Sequence, residues 1–247
     1  MNNNRANITL AGESNTGLTR SHNEDNFLVY APPGGEAVLA AVADGIGGHG
    51  KGENASYICC RELFAAAGRT ESSRWDEKFL FDTLNEANRK IFERNFAERR
   101  TKPMGCTVVA AIFFRDRIIF ANAGDSRLYE YDPDGAAHFS QLSVDHRPRR
   151  REGIGLKDEF SNFVCRSLGP QFQVEFELQT RPRPPQARYL LCSDGLYSQL
   201  PDSQLAGVLG SDMSIRAMTG KLMCDALLAG TRDNITLICA GNQTPEA

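Results

Sequence analysis

Five separate segments of this chain set an aspartate at the start or end of a short apolar run, and that recurrence constrains its fold more than any other feature. Residues 37–43 form an uninterrupted apolar run that stops at Asp44-Gly45, and residues 190–192 run through Ser193 into Asp194-Gly195. Asp125 follows the run 118–122, Asp233-Asn234 opens the run 235–240, and Glu24-Asp25 opens 26–31. An aspartate before glycine, taken alone, is a turn. Five such strand ends predict something further, because strand ends at one edge of a sheet pair converge in space. Hard divalent cations are held by several carboxylate oxygens together with water.

The runs themselves predict strands. Residues 26–31, 37–43, 107–114, 118–122, 128–131, 174–178, 189–192 and 235–240 are short and rich in Val, Ile, Phe and Tyr. Arg115-Asp116 and Asp132-Pro133-Asp134-Gly135 punctuate the middle of the chain as hairpin turns. Helical periodicity appears in blocks: 52–67 with Ile58, Leu63 and Phe64, then 74–98 with Phe79 or Leu80, Leu84, Ala87, Ile91 and Phe96 as a core stripe. Two more helices are expected at 203–209 and 214–228. Strands and helices in separate blocks, with antiparallel hairpins, predict an α+β protein and argue against a doubly wound parallel sheet. No low-complexity linker or internal repeat divides residues 1–247, so one domain is expected, with its core over about 8–241.

Composition closes off several classes. A net charge of −3 is unlike a general nucleic-acid binder. The first 17 residues are polar and lack a signal-peptide core, and the longest apolar runs are too short to span a bilayer. The seven cysteines are scattered, without a C-x-x-C pair, which predicts buried reduced thiols in a soluble cytoplasmic protein.

The glycine-rich loop needs separate weighing. Gly45-Ile46-Gly47-Gly48-His49-Gly50 fits G-x-G-x-x-G, and Gly45 to Lys51 fits G-x-x-x-x-G-K. Gly52 stands where a phosphate-binding loop needs Ser or Thr, and no second strand ending in an acid follows at the spacing a dinucleotide fold requires. The loop is therefore not read as a nucleotide site.

Taken in order, the motifs resemble those of the metal-dependent protein phosphatases known as PP2C or PPM, in their compact bacterial form. Arg20-Ser21-His22-Asn23-Glu24-Asp25 resembles R-x-x-N-E-D, and Asp44 to His49 resembles D-G-x-G-G-H, continuing into Gly52-Glu53-Asn54-Ala55-Ser56. Gly105-Cys106-Thr107, the stretch from Ala121 to Arg127, Asp145-His146, Arg166-Ser167-Leu168-Gly169, Ser193-Asp194-Gly195 and Asp233-Asn234-Ile235-Thr236 follow in register. The resemblance spans about residues 17–240.

That resemblance implies an α-β-β-α sandwich, two antiparallel sheets each flanked by a helix pair, with two or three Mn²⁺ or Mg²⁺ ions in the cleft between the sheets. By position, Asp44 bridges two ions and the Gly45 carbonyl is also a ligand. Asp194 and Asp233 hold one ion, and Asp25 reaches the second, partly through water. Asp125 matches the acid of a third, weaker site, Arg20 clamps the substrate phosphate, and Glu24 supports the metal-held waters. The implied reaction is attack of a metal-bridging hydroxide on phosphoserine or phosphothreonine, which needs no cysteine nucleophile. The implied partners are phosphorylated proteins and the Ser/Thr kinase acting on them, with the phosphatase itself a monomer.

Ile46 occupies the position where some members carry a histidine general acid. His49 and His146 are expected to be structural, His146 fixing a loop, and His22 and His138 have no evident partner. Residues 146–165 correspond to a short flap, made basic by Arg147, Arg149, Arg150, Arg151 and Lys157. Those charges are expected either to favour acidic or multiply phosphorylated substrates or simply to be solvated. Two other functions stay open from the residues: a catalytically silent scaffold and a hydrolase of small phosphoesters.

Overall fold

The computed structural model describes residues 6–47, 51–146 and 166–242 of the chain. Twelve strands are formed among them: β1 Thr9–Asn15, β2 Asn26–Tyr30, β3 Val38–Ala43, β4 Gly45–Ile46, β5 Gly105–Cys106, β6 Val108–Phe113, β7 Arg117–Ala123, β8 Arg127–Tyr131, β9 Phe139–Gln141, β10 Glu177–Pro182, β11 Arg188–Cys192 and β12 Ile235–Gly241. The helices are α1 Gly52–Ala67, α2 Glu77–Ala97, α3 Asp194–Tyr197, α4 Asp202–Leu209 and α5 Ile215–Leu228. One five-stranded sheet runs β1-β12-β11-β8-β9 and the other β10-β7-β6-β3-β2, with every ladder antiparallel.

Uninterrupted apolar runs normally mark parallel strands covered on both faces. Here the same burial is achieved by layering. In β3, Leu39, Ala41 and Ala43 face a core shared with Ile58 and Leu63 of α1 and with Leu80, Leu84 and Ile91 of α2. Ala40 and Val42 face the other sheet, in a core with Phe113, Phe120, Leu128, Tyr189, Leu191 and Ile238. The second sheet turns Leu190, Cys192, Leu237 and Cys239 toward Leu205 of α4 and Met218 and Leu222 of α5. Three apolar layers therefore separate four layers of structure, the α-β-β-α sandwich expected. Among the described residues no helix is long and apolar enough to cross a membrane.

Several details differ from expectation. Helix α2 starts at Glu77, not Arg74, because Asp76 caps it by accepting the Phe79 amide at 2.7 Å, while Ser72–Arg74 form a separate 3₁₀ turn. Phe96 is 81% exposed, because Asn95 takes the inward position at that turn, and Phe64 also faces solvent. The strand expected at 174–178 pairs only from Glu177, since Val174 and Phe176 pack toward α2 before the ladder with β7 begins. Strand β1, too polar to stand out in sequence, zips onto β12 from Thr9 to Asn15. Cys59, Cys60, Cys106, Cys192 and Cys239 are buried free thiols as expected, but Cys224 is exposed on α5. His49, the basic residues from Arg147 to Lys157, and Cys165 lie outside the described residues.

Candidate metal centre and cleft

Glycines let the aspartate-bearing strand ends meet. A Cβ on Gly195 would lie 1.9 Å from the Asn234 carbonyl oxygen, so the residue after Asp194 and the residue after Asp233 touch through bare backbone. A Cβ on Gly45 would fall 2.4 Å from the Glu24 carbonyl oxygen and 2.5 Å from the carbonyl carbon of Gly52, which packs the residue after Asp44 against both the Glu24-Asp25 turn and the start of α1. Gly17, at φ +76°, brings the segment before Arg20 against the Asp233 carbonyl. The D-G signature is thus a close-approach device as well as a turn.

Side chains then fix each approach. The Thr107 amide donates to the Asp44 carbonyl at 2.8 Å, the Asp44 amide donates to Thr107 Oγ1 at 3.2 Å, and Thr107 Oγ1 pairs with Ser126 Oγ at 2.7 Å, beside Asp125. Ser193 Oγ donates to Asp25 Oδ2 at 2.8 Å. Asn234 Nδ2 donates to the carbonyls of Thr16 and His22 at 2.8 and 3.0 Å while its Oδ1 accepts the Glu24 amide at 2.9 Å. Glu24 Oε1 accepts the Gly52 amide at 3.3 Å at the start of α1. Thr107, Ser193 and Asn234 were quoted within the motifs without a role. Each is a short polar side chain whose partner lies far away in sequence, so nothing local pointed to it.

The cleft that results is lined by Arg20, Glu24, Asp44, Gly45, Asp125, Asp194 and Asp233, within a cavity of about 1200 Å³. Asp25 lies beneath it, buried. Arg20 Nη2 donates to Asp233 Oδ2 at 2.9 Å across an exposed pair, and that bond raises the arginine's pKa above its usual value. Ile46 lines the cleft and is 38% exposed.

Electrostatically the centre is strained by its own charges. Burial pushes the Asp25 carboxyl up to about 6, against hydrogen bonds from Ser193 and Thr236 that favour the ionised form. Asp44 meets the cleft yet lies deep among protein atoms. Burial raises its pKa well above the carboxylate range, and the negative charges of Asp25, Asp194, Asp125 and Asp233 raise it further. Burial also raises Glu24. Buried Asp25 and Asp44, raised further by the aspartates around them, are relieved by added positive charge, which fits divalent cations. Among the described residues no three acidic, His or Cys side chains are drawn together as a finished coordination shell. Mg²⁺-like ions tolerate an open shell, because they keep several waters.

His146 fixes a loop, as expected. Its Nδ1 accepts the Gly124 amide at 3.1 Å, and its own amide donates to the Gly124 carbonyl at 2.9 Å. Burial first, and Arg166 at 3.2 Å from Nε2, lower its pKa and keep it neutral. Next to it, Arg127 grips Asp145 through two bonds of 2.9 and 2.7 Å and lies over the Tyr197 ring at 3.7 Å. Tyr197 in turn donates its hydroxyl to the Asp125 carbonyl at 2.9 Å. His138 Nδ1 lies 3.4 Å from the Asp132 carbonyl oxygen and does not line the cleft.

Comparison with known proteins agrees with this geometry. The family model described as Protein phosphatase 2C matches residues 18–224. The "Serine/threonine phosphatase stp" of Listeria innocua is 31% identical over 230 residues, covering 90% of this chain and 91% of that protein. The crystal structure of the Mycobacterium tuberculosis serine/threonine phosphatase PstP/Ppp superposes with a TM-score of 0.80 at 27% identity, covering 96% of this chain and 99% of that one. A structure of the PstP catalytic domain in complex with two manganese ions gives 0.79 at 28% identity, over 95% and 97% of the two chains. The chain belongs to the protein phosphatase 2C family.

Proposed function

We propose that this chain is a Mn²⁺- or Mg²⁺-dependent phosphatase that hydrolyses phosphoserine and phosphothreonine in proteins. The observation that carries the reading is the convergence of Asp25, Asp44, Asp125, Asp194 and Asp233 from separate strand ends onto one cleft, with Arg20 at its rim. Asp44 would help hold two ions, with the Gly45 carbonyl also a ligand; Asp194 and Asp233 would hold one ion, Asp25 would reach the other, and Asp125 would serve a third. When bound, such ions acidify water and neutralise phosphate oxygens.

The chain's own groups supply the rest. Arg20 spends one of its five N–H donors on Asp233, which leaves its exposed fork able to take the non-bridging oxygens of a phosphate. Glu24, whose Oε1 accepts the Gly52 amide at the start of α1, would support water held by the ions. In the reaction a P–O bond to water forms, the P–O bond to the serine or threonine oxygen breaks, and that oxygen takes up a proton. Ile46 carries no titratable group, so the proton does not come from that position. No covalent intermediate is required. Burial pushes the Cys60, Cys192 and Cys239 thiols up, Cys239 to about 12, and a hydrogen bond with Cys106, then burial, raises Cys59, all away from the thiolate a nucleophile needs.

Phosphate release from a phosphothreonine peptide, measured with Mn²⁺, Mg²⁺ and EDTA beside Asp44→Asn, tests the reading. Metal-dependent release that is lost in the variant supports it. Release from a small aryl phosphate alone would replace it with a small-phosphoester hydrolase, and no release from either would leave a scaffold. The relatives named as serine/threonine phosphatases support the further reading that this chain opposes a Ser/Thr kinase. The buried free thiols support a reducing cytoplasm. A monomer is the simplest assembly for one self-contained cleft, and sedimentation would check it.

A further inference from the structure

The cleft does not end at the carboxylates. The same cavity continues along α2, past Phe81 and Asn85, under a wall made by residues 166–175. At about 1200 Å³ it exceeds the roughly 300–1,000 Å³ that encloses a small organic ligand, so it has room for more than a phosphorylated side chain.

This wall is built rigidly. Asn88, in the middle of α2, and Asn95, in its last turn, are buried although asparagine is a poor helix former. Their amides are spent on the wall: Asn88 donates to the carbonyls of Gln171 and Phe172 at 3.2 and 3.0 Å and accepts the Gly169 amide at 2.7 Å. Asn95 donates to the Gly169 carbonyl at 3.1 Å and to that of Met104 at 2.8 Å. Leu168 exchanges both backbone bonds with Cys106 of β5, and β5 pairs with β4, which carries Gly45. The wall is therefore tied through one short ladder to the centre itself.

On this fixed frame an apolar surface is left open to water. Phe172 is 64% exposed, braced edge-on against Phe92 at 5.6 Å, and Phe81 is 45% exposed, braced edge-on against Phe176 at 6.0 Å. Phe81 and Phe172 line the cavity, together with Val174, Asn85, Gln171 and Gln173; the Asn85 amide nitrogen donates to the Phe81 carbonyl at 3.0 Å, which turns its amide along the helix beside Phe81. Primary amides both donate and accept, which suits the alternating N–H and C=O groups of an extended peptide. Preorganised aromatic anchors in a concave site are where binding energy concentrates.

We propose that this arm of the cleft is a substrate subsite. Phe81 and Phe172 receive a large apolar side chain of the phosphoprotein close in sequence to the phosphorylated residue, and the flanking amides hold its backbone. The inference rests on the phosphatase reading above and adds to it the class of protein segment preferred.

The test uses wild-type protein with Mn²⁺ and paired phosphothreonine peptides that differ only by leucine or glutamine at one flanking position, taken in turn. At one position the leucine peptide is turned over with roughly tenfold higher kcat/KM, carried by KM. In Phe81→Ser/Phe172→Ser the leucine-to-glutamine ratio falls to about one, and in Phe172→Leu it is retained. Because a ratio is read, partial loss of folded protein in a variant cancels. Equal kcat/KM for the paired peptides at every position in the wild type overturns the subsite while leaving the phosphatase reading intact. A preference that survives the double substitution also overturns it. Absence of metal-dependent release from every phosphopeptide would instead refute the phosphatase reading itself.

Discussion

Replacing Gly195 by alanine tests whether Asp194 and Asp233 serve one ion, using a perturbation whose two effects oppose each other. Gly195 lies within α3, where an added methyl group would normally help by about 1 kcal/mol through helix propensity. Its Cβ, however, would stand 1.9 Å from the Asn234 carbonyl oxygen, and real contacts of this kind do not come below 3.0 Å. Strand end and helix start must therefore part by about 1.1 Å, the difference of those two distances. Overpacking of this kind costs roughly 1–3 kcal/mol, so the steric effect wins by up to about 2 kcal/mol. At about 2–4 °C per kcal/mol for a chain of this length, the melting temperature in EDTA falls by several degrees.

The larger effect falls on metal affinity. Ligand distances for an ion of this size are held near 2.0–2.1 Å within roughly 0.2 Å, and a 1.1 Å separation of the residues beside two carboxylates exceeds that margin several-fold. Mn²⁺ affinity, read by calorimetry, should weaken by about 100-fold, at the upper end of what displaced ligand supports cost. Gly220→Ala in α5, where a Cβ meets nothing within 4 Å, is the control, with unchanged Mn²⁺ affinity and a gain of roughly 0.5–1 kcal/mol. Wild-type Mn²⁺ affinity in folded Gly195→Ala would refute the shared-ion geometry.

Asp25→Asn should stabilise the protein in EDTA at neutral pH. The folded carboxyl titrates near 6 against an ordinary 3.8, so its contribution is intact below 3.8 and is lost as pH rises through 6. At about 1.4 kcal/mol per unit this amounts to roughly 3 kcal/mol, and melting curves of wild type and variant should converge below about pH 4, part as pH rises from about 4 to 6 and stay apart above it. Arg20→Ala removes an exposed ion pair, so stability should move by less than about 1 kcal/mol. KM for a phosphopeptide should rise by roughly 10–100-fold, the worth of a charge-assisted pair of bonds, and steady-state kinetics separate the two. Arg127→Met leaves Asp145 without its two-bond partner and Tyr197 without its stacked cation. Urea denaturation should show a loss of roughly 1–3 kcal/mol, discounted for the partial exposure of both side chains.

What could be read from the sequence was whatever repeats locally. The run before Asp44 announced β3 because layering buries both of its faces, and Leu84 and Ile91 announced α2 through their spacing. The Asp-Gly ends announced the centre because both residues are adjacent in sequence. Features that depend on distant partners stayed silent. Nothing near Asn234 indicates that its amide ties Thr16, His22 and Glu24 to β12. Phe172 drew no reading from the sequence, because its wall is held by Asn88, 84 positions earlier. Strand β1 was missed because an edge strand with one apolar neighbour needs only Ile8, Leu10 and Ala11 to pack, too few to show a period.

The cost of the centre and the solidity of the sandwich are linked. Asp44 directly follows β3 and Asp25 directly precedes β2, and the Thr107 bond to the Asp44 amide, the Ser193 bond to the Asp25 carboxylate and the Asn234 bond to the Glu24 amide hold that part of the centre in place. The Asp25 carboxylate cannot move away from its neighbours without breaking its Ser193 bond. The metal-free fold carries that repulsion on its three apolar layers, and ion binding removes it. Linkage gives a size to this: an ion at 100 times its dissociation constant stabilises the fold by about 2.7 kcal/mol, close to the roughly 3 kcal/mol that burial of the Asp25 charge costs. Rigid placement of the acids thus lowers metal-free stability and raises affinity through the same bonds. A substitution that frees one carboxylate to move should raise the melting temperature in EDTA and lower the metal-induced shift together.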